Sequence, residues 1–170
     1  MATEYNEKSG RIVESGDGSC MEYVEDGNWL KFSELDFGEN FQEGTVLVEA
    51  AVEESGNCNG GTVEVRRGSP DGDLMGTVTI APTGTWSDYV QFEGKIGLQQ
   101  PISGDQDIYL VFHSNLVFLG NVRSFCVCQY HRRRSAYETI SATEYSIKSG
   151  RITEHADGSC MEYVEKWQLA

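Results

Sequence analysis

An internal repeat constrains this chain more than any other feature. Residues 2–25 read ATEYNEKSGRIVESGDGSCMEYVE and residues 142–165 read ATEYSIKSGRITEHADGSCMEYVE, so the first stretch departs from the second only at Asn6, Glu7, Val13, Ser15 and Gly16. The offset of 140 residues sets the length of the unit, far above the ~20–50 residue period of solenoids and propellers. A unit of that length can bury a core of its own. The chain therefore reads as one complete domain over 1–130, a basic connector over 131–137 containing Arg132, Arg133 and Arg134, and the start of a second copy over 138–170. That last stretch supplies only about two or three strands, too few to bury a sandwich core. It is expected either to remain a free terminus or to occupy the strand positions of residues 2–25 in its own or another molecule.

Inside the first unit the pattern is β throughout. TVLVEAAVE (45–53), GTVEVRR (61–67), GTVTIAP (76–82), DIYLVFHS (107–114) and NVRSFCVC (121–128) are short, rich in β-branched and aromatic residues, and partly alternating. Gly-, Asp- and Asn-rich breaks separate them (ESGNCNGG, RRGSPDGD, PTGT, SGDQD), and 19 glycines supply the turns. No stretch keeps a helical period. Roughly nine or ten short strands with frequent turns predict an all-β, antiparallel two-sheet β-sandwich, a jelly roll rather than an up-and-down barrel.

Charge narrows the partners. Acidic residues number 27 against 13 basic, a formal net charge of −14. That balance argues against nucleic acid, whose affinity comes from cationic side chains on phosphates, and against anionic membrane surfaces. No apolar run reaches membrane-spanning length, and MATEYNEKSG carries no apolar leader core. A neutral ligand is the easier partner. The cysteines are Cys20, Cys58, Cys126, Cys128 and Cys160, without zinc-type spacing. Cys126 and Cys128 are two apart in a strand-like run and point the same way, so each is expected to need a partner elsewhere, with Cys20 and Cys58 available. Two disulfides would place the domain outside the cell; reduced, buried thiols are the other reading.

The order of motifs carries a resemblance. ATEY, a Gly followed by IVE, MEYVEDGNWLKFSELDFG, GGTVEVRRGSPDGDLMGTV, PTGTW, DIYLVF, and GN before a final strand follow one another over residues 2–128, and the first of them recur over 142–165. This succession resembles carbohydrate-binding module family 6, which implies a secreted jelly roll that binds polysaccharide without cleaving it. The family uses two clefts. For the one among the loops, the resemblance implies Tyr23, Trp86 and Asn121. Aromatic planes shed water against the C–H faces of a pyranose, and one amide both donates and accepts to neighbouring hydroxyls. For the cleft on the face of a sheet it implies Trp29 and Glu64, although Glu64 is equally placed to pair with Arg66. The family also carries a structural calcium, for which Glu4 and Glu14 match two ligand positions. Arg123 stands where a third ligand is Asp, and a fixed guanidinium repels a cation. Arg123 is therefore expected to replace the calcium and to pair with Glu4 or Glu14.

Catalysis is not expected. Glycoside hydrolysis needs two carboxyls facing across a cleft at ~5–9.5 Å; the acidic pairs Glu53-Glu54 and Asp71/Asp73 sit in turn-like segments, and no GxSxG or HExxH motif occurs. His113, His131 and His155 have no Ser or Cys partner motif. The competing reading is a protein–protein or assembly sandwich without sugar binding. The tandem arrangement and the cysteines are also similar to arthropod glucan-sensing proteins, which directs the ligand expectation towards a neutral β-linked glucan, β-1,3-glucan first.

Overall fold

Ten strands account for the first unit of this computed structural model, which describes residues 1–129 and, separately, the short strands Thr153–Glu154 and Met161–Glu162. The chain divides into two units, Met1–Tyr130 and His131–Ala170. After a 3-10 turn at Ala2–Glu4 come β1 (Glu7–Lys8), β2 (Val13–Glu14), β3 (Met21–Glu25), β4 (Trp29–Asp36), β5 (Phe41–Ala51), β6 (Gly61–Arg67), β7 (Asp73–Ile80), β8 (Val90–Ile102), β9 (Asp105–His113) and β10 (Phe118–Gln129). No described helix is long and apolar enough to cross a membrane.

The strands hydrogen-bond in the order β1-β4-β9-β6-β7-β8-β5-β10-β3-β2, all antiparallel. A single residue pair, Gly76 with Ile96, joins β7 to β8. The sheet is curled at this weak seam into two halves that share one core. Phe32 of β4 meets Phe125 of β10 across that core with ring centroids 4.5 Å apart. Alternation does the sorting. Val63 and Val65 of β6 and Val48 and Ala50 of β5 are fully buried, while Glu64 and Glu49 between them turn outwards. The result is the antiparallel β-sandwich expected from the pattern.

The longest strand, β8, is among those that the strand-like runs did not mark, as are β1 to β4. It holds Gly94, Gly97 and Pro101 in 13 residues, a composition that propensity reads as loop. Packing explains one of these glycines. A Cβ on Gly94 would lie 2.3 Å from the Thr77 carbonyl oxygen of β7, so the close approach at the seam requires glycine on one side.

The second unit contributes β11 (Thr153–Glu154) and β12 (Met161–Glu162), paired Thr153 with Glu162 and Glu154 with Met161. In the first unit β2 and β3 pair Val13 with Glu22 and Glu14 with Met21. Shifted by the repeat offset, the register is the same. The basic connector over 131–137, Cys160, His131, His155 and the rest of 138–170 lie outside the described residues.

Two expectations need correction. No disulfide forms among the described cysteines; Cys20, Cys58, Cys126 and Cys128 are all free thiols. Cys126 and Cys128 do point the same way on β10, and their sulfurs lie 3.1 Å apart. The bond to Cys128, with burial, raises the Cys126 thiol above its ordinary pKa. Cys58 is instead buried against the Leu119 carbonyl, to which its thiol donates at 3.5 Å, and burial raises its pKa as well. Arg123, secondly, does not pair with Glu4 or Glu14. The bulge between Val122 and Ser124 turns it onto the outer face of β10 beside β5. There it donates to Glu49 Oε1 at 3.2 Å and lies 3.5 Å from the ring centroid of Tyr89.

Candidate functional site

Strands β3 and β10 and the β7–β8 loop create a cavity of about 350 Å³ lined by Glu22, Tyr23, Trp86, Phe118, Gly120 and Asn121. The residues proposed from sequence for the loop cleft, Tyr23, Trp86 and Asn121, therefore come from β3, the β7–β8 loop and β10 and meet in one place. Regular alternation would send Tyr23 inwards beside Met21, which is fully buried. A break in the strand prevents this. Val24 pairs with Gly120 and Met21 with Val122, so β3 carries an extra residue between these pairs, and Tyr23 takes φ 56° there. The phenol swings out and is 51% exposed, braced edge-on by Phe118 at 6.1 Å.

Trp86 is held by its loop rather than by a strand. Thr83 donates its backbone N–H to the Val52 carbonyl at 2.9 Å and accepts the Val52 N–H on its hydroxyl at 2.8 Å, which clamps the loop to the end of β5. The Asp88 carboxylate accepts the Thr85 N–H at 3.0 Å and closes the turn. The indole is left 38% exposed. Asn121 donates from Nδ2 to the Trp86 carbonyl at 3.4 Å, which ties the amide to the indole's own backbone. Glu22, Phe118 and Gly120 were not singled out from sequence. Glu22 adjoins Tyr23 and Gly120 adjoins Asn121, and only the break in β3 and the shifts in β10 reveal which neighbours face the cavity.

A second depression of about 420 Å³ adjoins the first, sharing Glu22, Trp86 and Asn121 and adding Asp17, Tyr89 and Arg123. Burial, and then the hydrogen bond with Cys20, pushes the Tyr89 phenol above its ordinary pKa. Asp17 is shifted the other way. Its carboxylate accepts from the Ser15 hydroxyl at 2.7 Å and from the Ser19 N–H at 3.0 Å. Ser15 first and Ser19 second lower it from 3.8 to about 2. A depressed carboxyl contributes stability that is present above its unfolded pKa near 3.8 and lost as pH falls towards 2. Carboxyl-carbon NMR should accordingly show Asp17 titrating near 2, and Ser15→Ala should move the midpoint upwards; an unmoved midpoint would mean that the serine bond is not the cause.

Trp29 and Glu64 lie on one outer face, each opposite Val111 of β9 from either side. Trp29 packs edge-on against Tyr109 at 5.4 Å. The Glu64 carboxylate accepts from Arg66 Nε at 2.7 Å and lies 3.3 Å from His113 Nε2. Burial raises its pKa, but the bond to Arg66 and then His113 bring the net shift below the ordinary value. This carboxylate is already engaged.

The calcium ligands do not assemble. Glu4 binds the N-terminal ammonium, Glu14 is exposed on β2, and Arg123 is committed to Glu49. Among the described residues no group of three or more His, Cys, Asp or Glu side chains is placed to hold a metal ion. We expect the melting temperature to be the same in excess chelator as in millimolar calcium; a calcium-dependent rise of several degrees would contradict this.

An exposed aromatic pair beside an amide at the loop end of an antiparallel sandwich defines a ligand-binding module. Comparison with known proteins makes the class specific. The model of the family described as carbohydrate binding module (family 6) matches residues 1–127, and the chain belongs to that family, whose members bind carbohydrate without catalysing its cleavage. Among solved structures, a family 6 module from Clostridium cellulolyticum in complex with xylose superposes with a TM-score of 0.63 at 28% identity, covering 75% of this chain and 94% of that one. A β-1,3-glucan-binding family 6 module from Bacillus halodurans follows at TM-score 0.61 and 30% identity, covering 75% and 92%. CsCBM6-3 from Clostridium stercorarium in complex with cellobiose gives 0.59 at 28% identity, covering 74% and 88%. A curated relative, endo-1,4-beta-xylanase A of Thermoclostridium stercorarium, is 27% identical over 96% of this chain, which spans 32% of that enzyme. The chain thus corresponds to about a third of such a relative.

Proposed function

We propose that the module binds a neutral β-linked glucan in the loop cavity, with Tyr23 and Trp86 stacking on the sugar and Asn121 hydrogen-bonding its hydroxyls. The observation that carries this reading is the meeting of two exposed aromatic rings and one amide in a single cavity. Among the described residues, the only charged side chain lining it is Glu22. With a net charge of −14, that acidity favours a neutral polymer over a uronic-acid one. The Bacillus halodurans module described as binding β-1,3-glucan shares 30% identity with this chain, and we place β-1,3-glucan ahead of xylan and cellulose as ligand. The face bearing Trp29 and Glu64 is a secondary contact surface in the same reading. Its carboxylate must give up Arg66 to reach a sugar hydroxyl.

The repeat makes residues 138–170 the start of a second module, and the matching register of β11–β12 and β2–β3 supports it. Alignment with the xylanase over 96% of the chain runs past residue 127, which supports it too. The xylanase is named for a polysaccharide substrate, and we assign this module to the extracellular setting in which such polymers are met. Tandem copies would add avidity on a polymer. A glycan array covering laminarin, xylan and cello-oligosaccharides tests the reading. Retention on laminarin above the others is expected. Absence of binding to every glycan would leave the assembly-module reading in its place.

A further inference from the structure

We infer that the depression beyond Trp86, lined by Asp17, Tyr89 and Arg123, is a second sugar position. It holds the neighbouring unit of a chain whose first unit sits in the loop cavity. The inference rests on the glucan reading of that cavity and adds the length of ligand that the module grips, at least two linked units rather than one.

The two hollows are continuous. The cavity of about 350 Å³ and the depression of about 420 Å³ share Glu22, Trp86 and Asn121 as walls. The local sequence explains the shared wall on β10. Val122 is fully buried, so its neighbours Asn121 and Arg123 both turn outwards, roughly 7 Å apart along the strand. The amide lines both hollows and the guanidinium only the second. A third hollow, beside Tyr23, is the competing place for another unit. Of the cavity's walls it shares Tyr23 alone, and its cations are already engaged. Lys8 donates to the Ile12 carbonyl, and Arg11 pairs with Glu25 at 3.6 Å.

The groups around the second hollow match an uncharged ligand rich in hydroxyls. Arg123 lies 3.5 Å from the Tyr89 ring centroid and gives Nη1 to Glu49 at 3.2 Å, which fixes the plane of its planar fork. The side chain is still 36% exposed. Among the described residues Glu49 is the one acceptor it meets, so further N–H donors are left for sugar hydroxyls. Glu49 also balances its charge, so a uronate would gain no bare cation. Asp17 supplies the complementary acceptor. Its Oδ1 takes the Ser15 hydroxyl and the Ser19 N–H, which aims the carboxylate and leaves Oδ2 open. Donor and acceptor are thus held in place before a ligand arrives, so little ordering opposes the bonds they make.

The test titrates the full chain with methyl β-glucoside and with laminaribiose, followed by amide NMR. Laminaribiose should bind about tenfold tighter, the gain expected of one hydrogen bond to a charged group. It should also move the Asp17 and Arg123 amide signals, which the single sugar leaves in place. Arg123→Gln should cut the affinity ratio to about twofold, by loss of that one bond. Asp17→Asn keeps the side-chain shape and should lower the ratio as well, so the inference can be judged on whichever variant retains a cooperative melt. Equal affinity for the two ligands in the parent overturns it, as does a ratio that neither variant lowers. Trp86→Ala separates the two readings. Binding that this variant removes but lengthening does not strengthen fails the second position alone. If neither ligand binds the parent, the glucan reading fails and the second position falls with it.

Discussion

Replacing Trp86 with alanine should weaken glucan binding by about 30-fold or more while leaving the melting temperature close to that of the parent. The indole supplies one of the two aromatic surfaces of the cavity and is 38% exposed. A stacked aromatic at the centre of a small interface is worth about 2 kcal/mol or more on truncation, which is the stated fold-change. Because the loop is clamped through Thr83 to Val52 and closed by Asp88 on Thr85, none of its anchoring bonds uses the indole ring. Stability should therefore shift by no more than about 0.5 kcal/mol. Isothermal titration with laminari-oligosaccharides and a thermal melt on the same sample check both halves. Unchanged affinity would move the ligand to another surface, with the face bearing Trp29 the next place to look.

Phe112→Ala should have the opposite profile, a large loss of stability that is felt at the site only through unfolding. Phe112 is fully buried on β9, which pairs with β4 on one side and β6 on the other. Its backbone also anchors the turn before β4, accepting the Gly27 N–H at 2.8 Å and donating to Asn28 at 2.9 Å. Truncating a buried phenylalanine costs about 3–5 kcal/mol, a large part of the ~5–15 kcal/mol that holds an ordinary domain together. For a module of this size that corresponds to a drop in melting temperature of roughly 10–20 °C, measured by calorimetry or circular dichroism. A drop of only a few degrees would mean that β9 is not at the centre of a packed half-sheet.

Much of this architecture was legible before any coordinates. β-Branched runs broken by Gly, Asp and Asn turns identify β5, β6, β7, β9 and β10, because a half-buried strand must alternate and a tight turn needs residues that tolerate positive φ. β8 escaped the same logic. Its glycine at position 94 answers to a carbonyl on β7 rather than to local propensity. The cysteines were legible as a set pointing one way at 126 and 128, but their pairing was not. Whether Cys20 or Cys58 comes near β10's thiols depends on strand order, and both are buried elsewhere.

The cavity divides in the same way. Tyr23, Trp86 and Asn121 were proposed from motif order, and the coordinates bring them to one place. Glu22 and Phe118 could not be proposed, because only a break in the β3–β10 ladder decides which side of the strand each faces. Arg123 was expected beside Glu4 or Glu14, but the bulge after Val122 turns it onto Glu49 and Tyr89. By itself the sequence determined the class of fold, the length of the repeating unit and the residue types able to grip a sugar, since these follow from periodicity and side-chain chemistry. Only the tertiary structure decided which of those side chains face outwards together. A one-residue bulge reverses the facing of everything after it, and its position depends on the partner strand.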